Sequence, residues 1–188
     1  MTRLRLREKH SPEVLAQIYA TPHDSARYGR GTRMRVEMTI GFAQAVWPGV
    51  ETMLVADLMC GDAKIANNLG LTPILGDIAP GYPITGPIER TIHDLPMVDL
   101  FVLSEALEHL DDPATVLRSI RAHSEWLLVT TPMEAWEDAA ANHEHYWAWD
   151  RAGVEELFAS TWWTVEAFAS LDTRPLGEPY HYGMWALR

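Results

Sequence analysis

The sequence predicts an α/β protein: a doubly wound, mostly parallel seven-stranded sheet with an antiparallel C-terminal hairpin. Three observations lead there. Short apolar runs alternate with amphipathic stretches along the chain, the order that makes parallel strands joined by helical crossovers. The runs at residues 53–59, 98–103 and 126–130 are almost continuously apolar, as strands covered on both faces are. The last two runs, 164–168 and 182–187, are joined by a loop containing Pro and Gly with no helix between them, so they pair as a hairpin at one edge.

The elements follow in order. Ser11-Pro12-Glu13 is an N-cap with proline in the first turn, opening a helix to about residue 20, and Thr21-Pro22 breaks it. Residues 32–46 form the second helix, with Met34, Met38 and Phe42 at four-residue spacing and Pro48-Gly49 behind them. The strand at 53–59 runs into a tight polar turn, the helix at 64–69 is closed by Gly70, and the next strand covers 73–77. Residues 81–87, rich in Gly and Pro, read as loop, and 90–93 as a short strand. After the strand at 98–103 a helix starts near Ser104 or Glu105. Pro113 opens another, over 114–122, and 151–160 is helical.

A chain of 188 residues supports one core and not two, so it reads as a single domain over residues 1–188. With 47% hydrophobic and 22% charged residues it is a packed globular chain. No run approaches the roughly 18 apolar residues of a membrane span, so no membrane association is expected. The lone Cys60 and the lack of a targeting signal fit a reducing, cytoplasmic setting. The formal net charge of -11 is unevenly placed: residues 1–40 hold eight Lys or Arg against four acids, and the rest hold seven against twenty-two. The body should repel polyanions. Arg27, Arg30, Arg33 and Arg35 either offer phosphate a basic patch, making nucleic acid a conceivable partner, or form a solvated helix face.

The turn Val55-Ala56-Asp57-Leu58-Met59-Cys60-Gly61-Asp62-Ala63 resembles the first motif of class I S-adenosylmethionine-dependent methyltransferases. The likeness continues with Asp77, twenty residues after Asp57, with Asp94-Leu95-Pro96, with residues 104–113 (SEALEHLDDP) and with residues 127–132 (LLVTTP). It spans residues 53 to 187 and implies a Rossmann-like methyltransferase fold with S-adenosyl-L-methionine as cofactor. The division it implies is an N-terminal helical lid segment at 1–50 and a cofactor-binding α/β core at 51–188. Its implied cofactor residues are Asp57, Met59, Cys60, Gly61, Asp77, Asp94 and Ser104, with Asp77 on the ribose hydroxyls and Asp94 on the adenine side. The chemistry agrees, because such a ligand needs a strand-to-helix turn that brings N–H groups near it and a carboxylate that accepts ribose O–H bonds. The family usually has glycine where this chain has Met59 and Ala63, so a non-catalytic S-adenosylmethionine-binding protein stays open beside an active enzyme. A nicotinamide-dependent oxidoreductase fits less well, since Gly61 stands without the G-x-G-x-x-G spacing.

No motif announces a catalytic base. Glu105, Glu108 and His109 form E-x-x-E-H, which at the start of a helix places all three on one face. The pattern resembles that of ubiquinone-type O-methyltransferases and, more weakly, of the enzymes that methylate the terminal ribose of small RNAs. The latter carry a further His downstream, for which His145 or His143 is available here. The likeness implies Glu105, His109 and His145 as catalytic residues. It implies Glu105, Glu108, His109 and His145 as ligands of Mg²⁺ or Mn²⁺, which would lower the pKa of a substrate hydroxyl. The alternative is that Glu108 and His109 only pack and hydrogen-bond. Trp136, Tyr146, Trp147 and Trp149 line a substrate pocket or form the core of a cap, and Tyr28 falls where a lid would cross the cofactor. The resulting expectation is methyl transfer to an oxygen or nitrogen of a small-molecule acceptor, with RNA ribose as the alternative acceptor.

Overall fold

In the computed structural model, which describes residues 2–24, 29–137 and 142–188, the central strand Val98–Ser104 shows why the sheet is covered twice. Leu100 and Val102 point into one apolar layer and Phe101 and Leu103 into the other, all four fully buried. The period of two along the strand thus feeds both faces, which is why its sequence is apolar throughout.

The described elements are β1 (Arg3–Arg5), α1 (Pro12–Ile18), α2 (Arg30–Val46), β2 (Val55–Asp57), α3 (Lys64–Leu69), β3 (Ile74–Asp77), β4 (Ile84–Thr85), α4 (Ile88–Thr91), β5 (Val98–Ser104), α5 (Pro113–Arg121), β6 (Ser124–Met133), β7 (Trp147–Trp149), α6 (Arg151–Ser160), β8 (Val165–Asp172) and β9 (His181–Leu187). Seven of the strands form one sheet in the order β4-β3-β2-β5-β6-β9-β8. The first five in that order are mutually parallel; β9 is antiparallel to both β6 and β8. This is the doubly wound sheet with a C-terminal hairpin. Helices α2 and α3 cover one face through Val36, Ala43, Ile65 and Leu69. Helices α5 and α6 cover the other through Val116, Leu117, Ile120, Leu157 and Phe158. The starts of these last two are set locally: Asp112 accepts the N–H of Thr115, and Asp150 accepts that of Gly153.

Four local expectations are corrected. Residues 90–93 are helical, within Ile88–Thr91 and the 3₁₀ turn Ile92–Asp94; the seventh strand is Ile84–Thr85, inside the segment that reads as loop, pairing Asp77 with Thr85. Its two residues are too few for periodicity to register. No helix starts at Ser104 or Glu105, because Glu105 turns the chain with φ 52° while its N–H donates to the Thr130 carbonyl, and only the 3₁₀ turn Leu107–His109 follows. The N-terminal segment is not wholly helical: β1 pairs antiparallel with β7, placing Arg3 opposite Trp149 and Arg5 opposite Trp147. Finally, Arg35 is buried and points into the protein, so it belongs to no surface patch. Arg27 and Tyr28 lie outside the described residues. No helix among the described residues is long and apolar enough to cross a membrane.

Gly183 in β9 lies against the buried indole of Trp185, two residues on, where an added methyl would collide with the ring. Gly183→Ala should destabilise the fold by about 1–3 kcal/mol, the usual range for overpacking. Urea unfolding should show a lower midpoint at unchanged slope. An unchanged midpoint would mean that Trp185 repacks without penalty.

Candidate functional site

The strand order reverses between β2 and β5, so the connections leaving their carboxyl ends diverge and open a crevice. A cavity of about 300 Å³ lies there. Asp57, Met59, Cys60, Gly61, Asp77 and Ser104 all line it, together with Glu105, Glu108, His109 and His145. Asp94 does not: it is exposed in its 3₁₀ turn, away from the cavity.

One side of the cavity is built around Asp77. Its Oδ2 accepts the N–H of Gly61 at 2.9 Å and its Oδ1 that of Ala79 at 2.8 Å, tying the turn after β2 to the end of β3. Each carboxylate oxygen has a second lone pair, so two acceptor positions remain for a ligand. Gly61 adopts φ 53°, a conformation that favours glycine, and an added Cβ would come within 3.3 Å of the His23 carbonyl oxygen. Ala63 holds φ 57° as the residue before α3, so here the missing glycine is a backbone matter. Met59 has no positive φ and donates its N–H to Asp57 Oδ1 at 3.1 Å; its difference from the family lies in side-chain volume alone. Burial pushes the Cys60 thiol far up, away from the range of a nucleophilic thiolate.

At the end of β5 a polar chain crosses from α2 to β6. Arg35 Nη1 donates to Ser104 Oγ at 2.9 Å, Ser104 Oγ meets Thr130 Oγ1 at 2.8 Å, and Thr130 Oγ1 donates to Glu105 Oε1 at 2.9 Å. The other Glu105 oxygen is 3.9 Å from Arg35 Nε, which is buried and finds no hydrogen-bond partner among the described residues. Burial raises the Glu105 carboxyl above its ordinary range, and Arg35 opposes that shift.

The opposite side holds a second group. Glu108, His109 and His145 each present one ligand-capable atom within 4.8 Å of the others. Glu105 lies outside this trio, engaged with Thr130, and the helical face that was to present Glu105, Glu108 and His109 together is not formed. His143 is exposed and outside the cavity, with its carbonyl against His10. Glu108 Oε2 accepts the Thr131 hydroxyl at 2.9 Å, while Oε1 is buried with no hydrogen-bond partner among the described residues. Burial, then the charge of Glu105, pushes the Glu108 carboxyl up to about 8. His109 Nδ1 lies 3.1 Å from the Glu144 carbonyl, which makes Nδ1 the donor and leaves the Nε2 lone pair toward Glu108, 3.9 Å away. Burial and the neighbouring His145 lower His109 to about 3, so its ring is neutral.

Sequence reasoning missed Arg35 as a cavity residue, and with it Tyr19, Asn142, Tyr180 and Tyr182. Asn142 Nδ2 lies 3.0 Å from His145 Nε2 and also donates to the Tyr180 hydroxyl. Its place in the Asn-His-Glu-His run was the available signal. The aromatic cluster resolves toward packing: Trp149 is fully buried, Trp147 stacks parallel to it, and none of Trp136, Tyr146, Trp147 and Trp149 lines this cavity.

No model of a protein family matches this sequence, and none of the curated proteins does. Solved structures do resemble its fold. The 1,6-didemethyltoxoflavin-N1-methyltransferase of Burkholderia thailandensis, with bound 1,6-didemethyltoxoflavin and S-adenosylhomocysteine, aligns with TM-score 0.67 at 13% identity, covering 97% of this chain and 92% of its own. The magnesium protoporphyrin IX methyltransferase of Synechocystis with bound S-adenosylhomocysteine gives 0.64 at 12% identity, over 84% and 83%. The small RNA methyltransferase HEN1 gives 0.64 at 17%, over 84% of this chain and 25% of that one. At such identities the likeness is one of fold. The chain has the Rossmann-like fold shared by class I S-adenosylmethionine-dependent methyltransferases.

Asp57 yields a test of the site's electrostatics. It is buried at the end of β2, and burial, reinforced by Asp77 and opposed by the Met59 N–H, pushes its carboxyl up to about 8 from an ordinary value near 3.8. A folded pKa above the unfolded one means that the folded state holds the proton more tightly. This contribution to stability is present at low pH and is lost as pH rises from about 4 to 8. Glu108 acts in the same window. Asp57→Asn, which cannot ionise, should flatten part of the fall in melting temperature of the ligand-free protein between pH 5 and pH 8. Equal pH slopes in wild type and variant would show that Asp57 is charged in the fold.

Proposed function

We propose that the protein is an S-adenosylmethionine-dependent methyltransferase that transfers a methyl group to an oxygen or nitrogen of a small molecule in the cytoplasm. The observation that carries this reading is one cavity with two unlike sides, the Asp57–Gly61–Asp77 turn on one and Glu108, His109 and His145 on the other. The residues suit the cofactor. Asp77 keeps lone pairs for ribose hydroxyls, and Asp57 and Met59 flank the turn. The unpartnered Nε–H of Arg35 suits the cofactor's amino-acid carboxylate, since a buried guanidinium favours a carboxylate partner. Exposed Asp94 has no part in it.

S-adenosylmethionine, when bound, supplies a methyl group already activated on a sulfonium. What is left to the chain is to align the acceptor and to take its proton. Glu108 is placed for the proton, because it lines the cavity with Oε1 unpartnered among the described residues, and burial raises its carboxyl to about 8, near neutrality. His109, neutral and with a lone pair on Nε2, suits a ligand or hydrogen-bond acceptor better than a base. Glu105, tied to Thr130 and near Arg35, belongs to the cofactor side in this reading.

In place of a proton on Glu108, a divalent ion fits the trio: the orphaned Oε1 of Glu108, the buried His145 and the half-buried His109 would hold it, and it would lower the pKa of an acceptor hydroxyl. Two nitrogen donors favour Mn²⁺ over the oxygen-seeking Mg²⁺. The same trio favours a second reading, methylation of an RNA ribose hydroxyl, for which the exposed Arg30 and Arg33 at the start of α2 would meet phosphate. A binding protein without turnover is favoured by Ala63, whose strained turn departs from the family.

Calorimetric titration tests the cofactor assignment. Asp77→Ala should weaken S-adenosylhomocysteine binding by about 1.5–3 kcal/mol, the range for hydrogen bonds to a charged group. Unchanged affinity in the folded variant removes the ribose role. Binding without methylation of any small hydroxyl, amine or RNA acceptor favours the binding protein. Mn²⁺ should raise the melting temperature of wild type and fail to do so for His145→Ala; an equal rise in both would place the ion elsewhere.

A further inference from the structure

The loop that carries His145 is held from outside by the first ten residues. Strand β1 pairs with β7 directly beyond His145, the Leu6 N–H donates to the Tyr146 carbonyl at 2.7 Å, and the Asp150 N–H donates to the Thr2 carbonyl at 3.1 Å. Gly153 in α6 leaves room for that carbonyl, since a side chain there would collide with it. His10 adds its N–H on the Tyr146 hydroxyl and its ring against the His143 carbonyl. Arg5, over the face of Trp147, reaches Asp111 and so fixes this strand to the segment after His109 as well.

Arg7 is central to this clamp. Its Nε donates to the His145 carbonyl at 3.1 Å and its Nη2 to the Asn142 carbonyl at 2.9 Å. One rigid planar fork therefore spans the backbone of the two residues whose side chains meet inside the cavity, Asn142 Nδ2 and His145 Nε2 at 3.0 Å. His145 then stands edge-on to His109 with ring centroids 4.9 Å apart. The cofactor side receives no such support. Among the described residues, no hydrogen bond joins residues 2–10 to Asp57, Gly61 or Asp77, whose partners outside the strand ladders are Met59, Ala79, Tyr82, Gly86 and one another.

We infer that Arg7 is a positioning residue for His145: the N-terminal strand assembles the Glu108–His109–His145 side of the cavity and leaves the nucleotide side independent. The consequence for divalent ion binding rests on the metal reading proposed above; the consequence for loop order does not. A lost outer support of a metal ligand commonly costs 10- to 100-fold in affinity. Arg7→Ala should therefore weaken Mn²⁺ binding by about that factor, read by titration of the free ion, while S-adenosylhomocysteine affinity stays within about twofold. Arg7→Lys, which restores one charged donor without the fork, should recover part of the loss. In parallel, amide exchange at Tyr146, whose N–H bonds the Glu108 carbonyl, should quicken at least tenfold in Arg7→Ala with β5 and β6 unchanged. A parallel fall in both affinities means a general structural role and overturns the inference, as does unaltered exchange at Tyr146. If wild type takes up no Mn²⁺ yet exchange quickens in the variant, the metal reading fails and the positioning role stands.

Discussion

The Asp77 carboxylate, fixed by the N–H groups of Gly61 and Ala79, is the interaction on which the cavity depends. Parallel strands end with their backbone groups pointing toward solvent, and the loops that follow must satisfy them or remain wet. Here an acid at the end of β3 binds the turn that leaves β2, so two strand ends move as one unit. The Tyr82 hydroxyl, donating to the Gly61 carbonyl, closes the same turn from the β4 side. With that edge fixed, β5 stands on the far side of the switch point, and Ser104 at its end and Glu105 in the turn after it line the crevice.

Charge burial divides the site. Asp57, Glu105 and Glu108 are three carboxyls in a small region, each raised by burial above the ordinary range. Glu105 has the Arg35 guanidinium 3.9 Å away. A buried acceptor such as Glu108 Oε1 costs free energy in the folded state unless something meets it. A packing role alone leaves that cost uncompensated, whereas a proton, an acceptor hydroxyl or a cation would offset it. The chain of Trp149 Nε1 to Thr131 and Thr131 to Glu108 orients the carboxylate so that the unmet oxygen, and not the satisfied one, turns to His109.

The strands were legible wherever burial on both faces made them continuously apolar: β5, β6 and β9 needed only their own residues. The Asp57–Asp77 spacing was legible too, because a strand, a turn and a helix have nearly fixed lengths. What failed was local and had a common cause. Glu105 in a left-handed conformation is stabilised by a bond to Thr130, a residue on another strand, and no neighbour in sequence signals it. The periodic reading of E-x-x-E-H assumed a helix and so grouped Glu105 with Glu108, although the turn sends the two side chains to different partners. Likewise, nothing in the sequence assigned Arg3, Arg5 and Arg7 partners, because Trp147 and the His145 and Asn142 carbonyls that receive them lie about 140 residues away along the chain. Arg35 was visible only as one basic residue among several until α2 was docked over Ser104.

The two positions where the chain lacks the family's glycines bear differently on function. At Met59 the backbone is ordinary, so a side chain is tolerated without strain and acts only through the volume it takes from the cavity wall. At Ala63 the left-handed conformation is retained against the preference of an alanine, at a cost on the order of 1–2 kcal/mol. That cost is borne in folding, not in binding: the turn keeps its shape, with the Ala63 N–H bonded to the Cys60 carbonyl at 2.7 Å and the Gly61 N–H still on Asp77. A degenerate motif is therefore compatible with an intact cradle. The geometry that a cofactor would meet is set by Gly61, the one residue of the turn that adopts a left-handed conformation without a side chain and packs directly beneath the His23 backbone.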